Sequence, residues 1–156
     1  SNIKKGLEEY INEKIETDVI DSNYEELKLN LSEIDAELKQ IATNADNPTI
    51  VVSSDTFKYL EKYGFNVISL EENNNLSDKT LSEVRKLLAN KKISYIFLKD
   101  DEKENDTIKK LKESYEFTTV KLNTISTLSA SDRKDKKDYI SIMEDNINSI
   151  KLEVNN

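Results

Sequence analysis

No cysteine and no histidine occur among the 156 residues of this chain. The first absence excludes disulfides and thiolate metal sites, and it leaves the compartment open, because a cysteine-free chain suits the cell surface and the cytosol equally. The second removes the commonest general base and the commonest zinc ligand in one step. Glycine occurs only at Gly6 and Gly64, so no glycine-rich phosphate cradle is available. No apolar run is long enough to cross a membrane and no signal peptide is present, so direct membrane insertion is not expected. Ser1-Asn2 reads as a cloning remnant, and the natural chain is expected to begin earlier. Basic clusters are lacking too. The net charge is −8 and the lysines are interleaved with Glu and Asp, which argues against nucleic acid as a partner.

What remains is enough for one compact domain with a real core. Hydrophobic residues make up 36% and charged residues 35%, and the apolar ones fall in periodic runs. Residues 3–16 space Ile3, Leu7, Tyr10, Ile11 and Ile15 as a helix whose apolar face needs a partner. Thr17 to Asp21 interrupts that pattern. Ser22 with Glu25 then reads as a capping box. From there Tyr24, Leu27, Leu31, Ile34, Leu38 and Ile41 recur at steps of three and four, predicting one long amphipathic helix, with a coiled coil as the alternative.

After Pro48 the period changes. Ile50–Ser53 reads as a buried strand running into a helix over 55–63, which Gly64 ends. Strands over 66–70, 93–98 and 117–122 follow, separated by helices near 77–88 and 108–115. A last helix is expected over 132–152, carrying Tyr139, Ile142, Met143, Ile147 and Ile150. Strands alternating with helices predict an α/β fold: a four-stranded parallel doubly wound sheet with helices on both faces, preceded by a long linking helix. The expected organisation is an amino-terminal helical segment over 1–21, the linking helix over 22–44 and an α/β lobe over 45–156. The expected strand order, 2-1-3-4, puts the topological switch point between the first and third strands.

Three groups of residues at the carboxyl edge of that sheet carry possible chemistry. Ser54 with Asp55 follows the first strand, but a nucleophilic serine needs a base and no histidine exists, so helix capping is the favoured role. Asp100, Asp101, Glu102 and Glu104 form an acidic loop of a type that suits hard cations, yet it lacks the alternation and the glycine of a calcium-binding loop and reads as a solvated surface. Asn123-Thr124-Ile125-Ser126 reads as an ordinary polar loop. No catalytic residue, no cofactor-binding residue and no enzyme activity is expected.

Four stretches together resemble the carboxyl-terminal lobe of the solute-binding proteins of zinc and manganese ABC importers, the family that includes adhesin-type surface lipoproteins. They are the Leu-x-x-Ile-Asp-Ala-Glu-Leu run at 31–38; Val51 to Leu60 with Tyr63-Gly64, similar to a family strand ending in Ser-His-x-Ala-Phe or Ser-Glu-x-Ala-Phe; Leu76 to Leu88 with Ile93 to Phe97; and Asp138 to Met143 with Asn146 and Ile147. The resemblance implies two α/β lobes bridged by one long helix, with metal held between them. Two ligands would come from an amino-terminal lobe missing from this chain. The other two family positions fall on Ser54 and Asn123, a hydroxyl and an amide without the charge or softness that such sites use. Asp55, one residue along, is the remaining candidate, although one helical step turns a side chain by about 100°. No metal ligand is therefore expected in this chain, with zinc or manganese held only by a complete protein. The resemblance further implies an ABC importer permease or another surface protein as partner, and an extracellular, membrane-anchored location for the full-length protein. The alternative is a degenerate interaction domain of a surface protein that binds no metal.

Overall fold

The computed structural model describes residues 2–10, 14–73 and 76–154, and side chains over 2–8, 18–73 and 76–154. The chain divides into two units, Ser1–Ala36 and Glu37–Asn156. In the first, helix α1 (Asn2–Tyr10) precedes the start of helix α2 (Lys14–Asn44). Lys4 pairs with Asp21 at 2.6 Å and lies over the Tyr24 ring. Apolar side chains remain in water here; Ile3 is 78% exposed, and Leu27, Leu29 and Leu31 are exposed as well. Ile11 of the expected first helix lies outside the described residues.

The long helix begins earlier than its sequence suggested. It runs without a break through Thr17 to Ser22, so Ser22 is an interior, exposed residue and not an N-cap. Thr, Asp and Val are weak helix formers, but each costs only tenths of a kcal/mol, roughly, and no Gly or Pro stands there to stop propagation.

In the second unit, strands β1 (Thr49–Val52), β2 (Asn66–Ser69), β3 (Tyr95–Lys99) and β4 (Thr118–Leu122) form one parallel sheet in the order β2-β1-β3-β4. This is the expected order. Every residue of β1 is buried, as a strand covered on both faces must be. Val51, Ile68, Ile96 and Leu98 pack with Val84 and Leu88 of α3 (Asp78–Ala89) and with Ile108 and Leu111 of α4 (Asp106–Lys112). The two-residue period of a strand turns Ile50, Val52 and Phe97 to the opposite face, where they are equally buried. Helix α6 (Tyr139–Val154) packs on β1 and β4.

Two elements differ from their expected form. Asp55–Tyr63 is a 3-10 helix and not an α-helix. Its buried residues, Phe57, Leu60 and Tyr63, are spaced strictly by three, and only a helix of three residues per turn lines them up on one face. Gly64, at φ 103°, closes it as expected. The final helix starts at Tyr139, not at 132. A short helix α5 (Ala130–Lys134) comes first, capped reciprocally by Ser129 and Asp132, and Lys136 in the left-handed region (φ 54°) breaks the chain direction. Asp138 and Ser141 then cap each other's backbone N–H, both at 2.9 Å, and start α6 afresh.

Candidate functional site

The carboxyl ends of β1 and β3 flank the switch point, and the residues just beyond them are polar. Strand β1 is followed by Ser53 and Ser54, both buried. The Ser53 hydroxyl donates to Glu102 Oε2 at 2.6 Å, and its backbone N–H continues the sheet to Phe97 O at 2.7 Å. Ser54, 4% exposed, caps the 3-10 helix by accepting from Thr56 N at 3.3 Å. Its hydroxyl proton faces Glu71 Oε2 at 3.0 Å, and the same oxygen receives the Asp55 N–H at 2.5 Å. Glu71 thus places a carboxylate at the N-terminus of that helix, where negative charge is favoured. The capping role expected for Ser54 holds, with Glu71 as a further partner of its hydroxyl.

Asp55 lies outside this knot. Its carboxylate pairs with Lys58 at 2.9 Å and accepts from Asn73 at 3.3 Å. The Lys58 ammonium, with a hydrogen bond from Ser69, holds its pKa below the ordinary carboxylate value. Ser54 and Asp55 are adjacent in sequence but turn to different partners.

At the other end of the edge, Asn123 follows β4. Its backbone forms a reciprocal pair with the buried amide of Asn146 on α6: Asn123 N donates to Asn146 Oδ1 at 2.8 Å, and Asn146 Nδ2 donates to Asn123 O at 2.9 Å. The Asn123 side chain accepts the N–H of Ile125 at 2.7 Å, which holds Ile125 at φ 59°. That region is strained for a β-branched residue. Beside it lies an open cavity of about 390 Å³ bounded by the 3-10 helix, the loop after β4 and the start of α6.

The acidic loop is not the solvated surface that its composition suggested. Asp100 Oδ1 accepts from Thr124 N at 3.2 Å, Glu102 holds Ser53, and Glu104 pairs with Lys112 and accepts from Thr119 at 2.9 Å. Only Asp101 of the four is fully exposed. The loop stitches β1, β3 and β4 together. Among the described residues, no three carboxylates converge as a cation cage would need.

With this geometry in hand, the relatives are informative. The family model for ZnuA, the periplasmic zinc-uptake complex component A, matches residues 1–152. The chain belongs to that family. Solved structures share its fold. The metal-dependent lipoprotein YcdH of Bacillus subtilis matches with a TM-score of 0.72 and 19% identity, over 98% of this chain and 58% of its own. The Zn(II)-bound ZnuA-like domain of Streptococcus pneumoniae AdcA matches with 0.67 and 21%, over 99% and 58%. The periplasmic zinc-binding protein TroA of Treponema pallidum matches with 0.66 and 17%, over 98% and 58%. This chain therefore spans about three fifths of the length of those relatives. Among curated proteins, none matches it significantly.

Of three residues central to this part of the fold, Glu71 and Glu153 were not singled out by sequence reasoning, and Asn146 entered only through the resemblance of the final helix. Each had a signal. Glu71 lies just past β2, which the predicted strand order sets beside β1. Asn146 and Glu153 are polar residues on the stripe of Ile142, Met143 and Ile150, and both are buried. A polar group on an apolar stripe requires a partner. For Glu153 the partners are Ser94 N at 2.9 Å and Tyr95 N at 2.7 Å, at the start of β3. Burial raises the Glu153 pKa, and these two hydrogen bonds oppose the rise.

Proposed function

We propose that this chain is one lobe of the solute-binding protein of a zinc- or manganese-type ABC importer, and that its own residues hold no transition metal. Family membership supports the first half. The single observation that carries the second is that the side chains at the two family ligand positions are already engaged. The Ser54 hydroxyl donates to Glu71, and the Asn123 carbonyl accepts from Ile125. A metal would displace these bonds and receive two neutral oxygens in return, a poor exchange for zinc. Asp55 is tied to Lys58 and Asn73. In a complete protein, an amino-terminal lobe would have to supply the ligands, a permease would be the partner, and the location would be extracellular and membrane-anchored.

Calorimetric titration of the 156-residue chain with zinc and with manganese tests this. Binding weaker than about micromolar, or none, is expected; a micromolar complex would release about 8 kcal/mol. A stoichiometric zinc complex tighter than that, lost on Asp55→Ala, would overturn it.

The internal bonding at Ser54 and Asn123 also favours a second reading, an interaction domain that kept the scaffold and lost the ligands. The coding sequence upstream of Ile3 separates the two. A lobe with paired histidines favours the importer, and an unrelated module favours the interaction domain.

A further inference from the structure

Helices α3 and α4 pack on the same core and leave a surface groove of about 310 Å³ between them. Helical spacing decides what lines it. Leu81 and Arg85 of α3 lie four residues apart, and Thr107, Lys110 and Leu111 of α4, with Ser114 just past its end, follow at steps of three and four. Tyr115 completes the lining. Leu111 is buried, and Leu81 and Tyr115 are half-buried against the core, so the apolar part of the groove is held by packing. None of Ser54, Asp55 and Asn123 borders it.

The charges that line the groove are of one sign. It has two cations and no carboxylate, in a chain of net charge −8. Arg85 and Lys110 are exposed, and among the described residues neither side chain forms an ion pair or a hydrogen bond. The neighbouring lysines of α4 differ: Lys109 pairs with Asp106 at 2.9 Å, and Lys112 pairs with Glu104. Asp106, already held by Lys109, senses Lys110 only through space. The Ser114 and Tyr115 hydroxyls likewise have no hydrogen-bond partner among the described residues, whereas the Thr107 hydroxyl donates to Glu72 at 2.8 Å. That carboxylate disfavours an anion at the Thr107 end and leaves the Lys110–Ser114 end for it.

Every uncommitted polar side chain here can donate, and two of them carry positive charge. A cation finds no counter-charge. A monocarboxylate would leave one of the two positive charges unmatched. A phosphate monoester brings nearly two negative charges and three acceptor oxygens. Leu81, Leu111 and the Tyr115 ring offer an apolar surface to whatever the phosphate is attached to.

We propose that this groove is a binding site for a small organic phosphate, a monoester on an apolar or planar body, with its phosphate on Arg85, Lys110 and the Ser114 and Tyr115 hydroxyls. The guanidinium fork suits two phosphate oxygens at once, and the ammonium supplies the second charge. The site goes beyond the reading of the chain as a solute-binding lobe and shares no residue with the positions on which that reading rests.

The test is an amide-resolved NMR titration of the isotope-labelled 156-residue chain with phenyl phosphate, inorganic phosphate and benzoate in parallel. Phenyl phosphate should give saturable shifts centred on residues 81–85 and 107–115, and should bind about threefold or more tightly than either simpler anion. Arg85→Gln should weaken it by about fivefold or more and Lys110→Gln by about threefold, as loss of a charge-assisted hydrogen bond does. Both positions are exposed, so the fold should survive. Lys109→Gln removes one charge from the same helix outside the groove and should change the affinity by less than about twofold. Absence of saturable shifts at about 20 mM phenyl phosphate, enough to reveal millimolar affinity, would overturn the proposal. So would shifts centred elsewhere, benzoate or inorganic phosphate binding as tightly, unchanged binding by Arg85→Gln, or a loss on Lys109→Gln equal to that on Lys110→Gln. Zinc calorimetry reports on the metal-free reading alone and leaves this titration to be judged by itself.

Discussion

Two places along one sheet edge, beyond β1 and beyond β4, have been finished differently. Beyond β1, both serine hydroxyls and one backbone N–H have found a carboxylate from the loop after a neighbouring strand: Ser53 with Glu102, and Ser54 and the Asp55 N–H with Glu71. Beyond β4, the Asn123 backbone is held on both sides by one neutral amide, Asn146, a carboxylate (Asp100) reaches only Thr124, and the cavity beside them has no charged lining. The difference is electrostatic in origin. Negative charge is favoured near a helix N-terminus, so a carboxylate there seals the place it occupies. A neutral amide pair satisfies the backbone and leaves the adjoining space available. A crevice at a switch point is therefore not by itself a site; what matters is whether its polar groups have already been used.

The comparison can be broken most severely at Asn146. Asn146→Ala removes both partners of the Asn123 peptide at a buried position and should cost about 2–3 kcal/mol in chemical denaturation, since two backbone groups lose their bonds together. It should also shift the amide signals of 123–125 while leaving those of 53–55 in place. A cost under about 0.5 kcal/mol, typical of an uninvolved surface site, would show that water replaces the amide and that the two places are less different than described.

Glu71→Ala should come next, at about 1–2 kcal/mol, because it strips the Ser54 hydroxyl and the Asp55 N–H of one shared acceptor. Glu71→Gln should recover part of the loss. A Glu71→Gln variant as stable as the unchanged protein would mean that the charge at the helix N-terminus adds nothing.

The smallest effect is expected at the exposed pair beside it. The Asp55 pKa is lowered, first by Lys58, so the folded state binds its proton less readily than the unfolded chain does. The resulting stability is present above the ordinary carboxylate pKa and is lost as pH falls through the folded value. Both side chains are substantially exposed, and the pair should contribute only about 0.2–0.5 kcal/mol. Lys58→Ala should flatten the acid side of the stability profile by that amount and change nothing at Asn123. A larger loss at neutral pH would assign Lys58 a packing role.

The body of the long helix, the four strands and the caps at Ser54 and Ser77 were legible because each is a local pattern, whereas the cap read at Ser22 was not there. Pro48 marks the start of β1 and Gly64 the end of the 3-10 helix. Ser77 and Ser54 cap helices by bonding two or three residues along. The misread elements were local too. At Thr17 to Ser22, weak formers were taken as a stop, and at 132–138 a left-handed lysine interrupted an otherwise continuous helical pattern. The carboxyl edge was located correctly, yet its chemistry was not, because Ser54 and Asn123 say nothing alone about which groups they meet.

The sequence by itself determined the periods: two for the strands and 3.6 for the long helices. These periods fix which residues are buried, and with right-handed crossovers they fix the strand order. Only the tertiary structure decided the pairing of the polar groups. Ser54 meets Glu71 across 17 residues, Asn123 meets Asn146 across 23, and Ser53 meets Glu102 across 49. No periodicity reaches so far along the chain. Hydrogen bonds depend on angles and on tenths of an ångström, and those are set only once the sheet has twisted and its helices have settled on it.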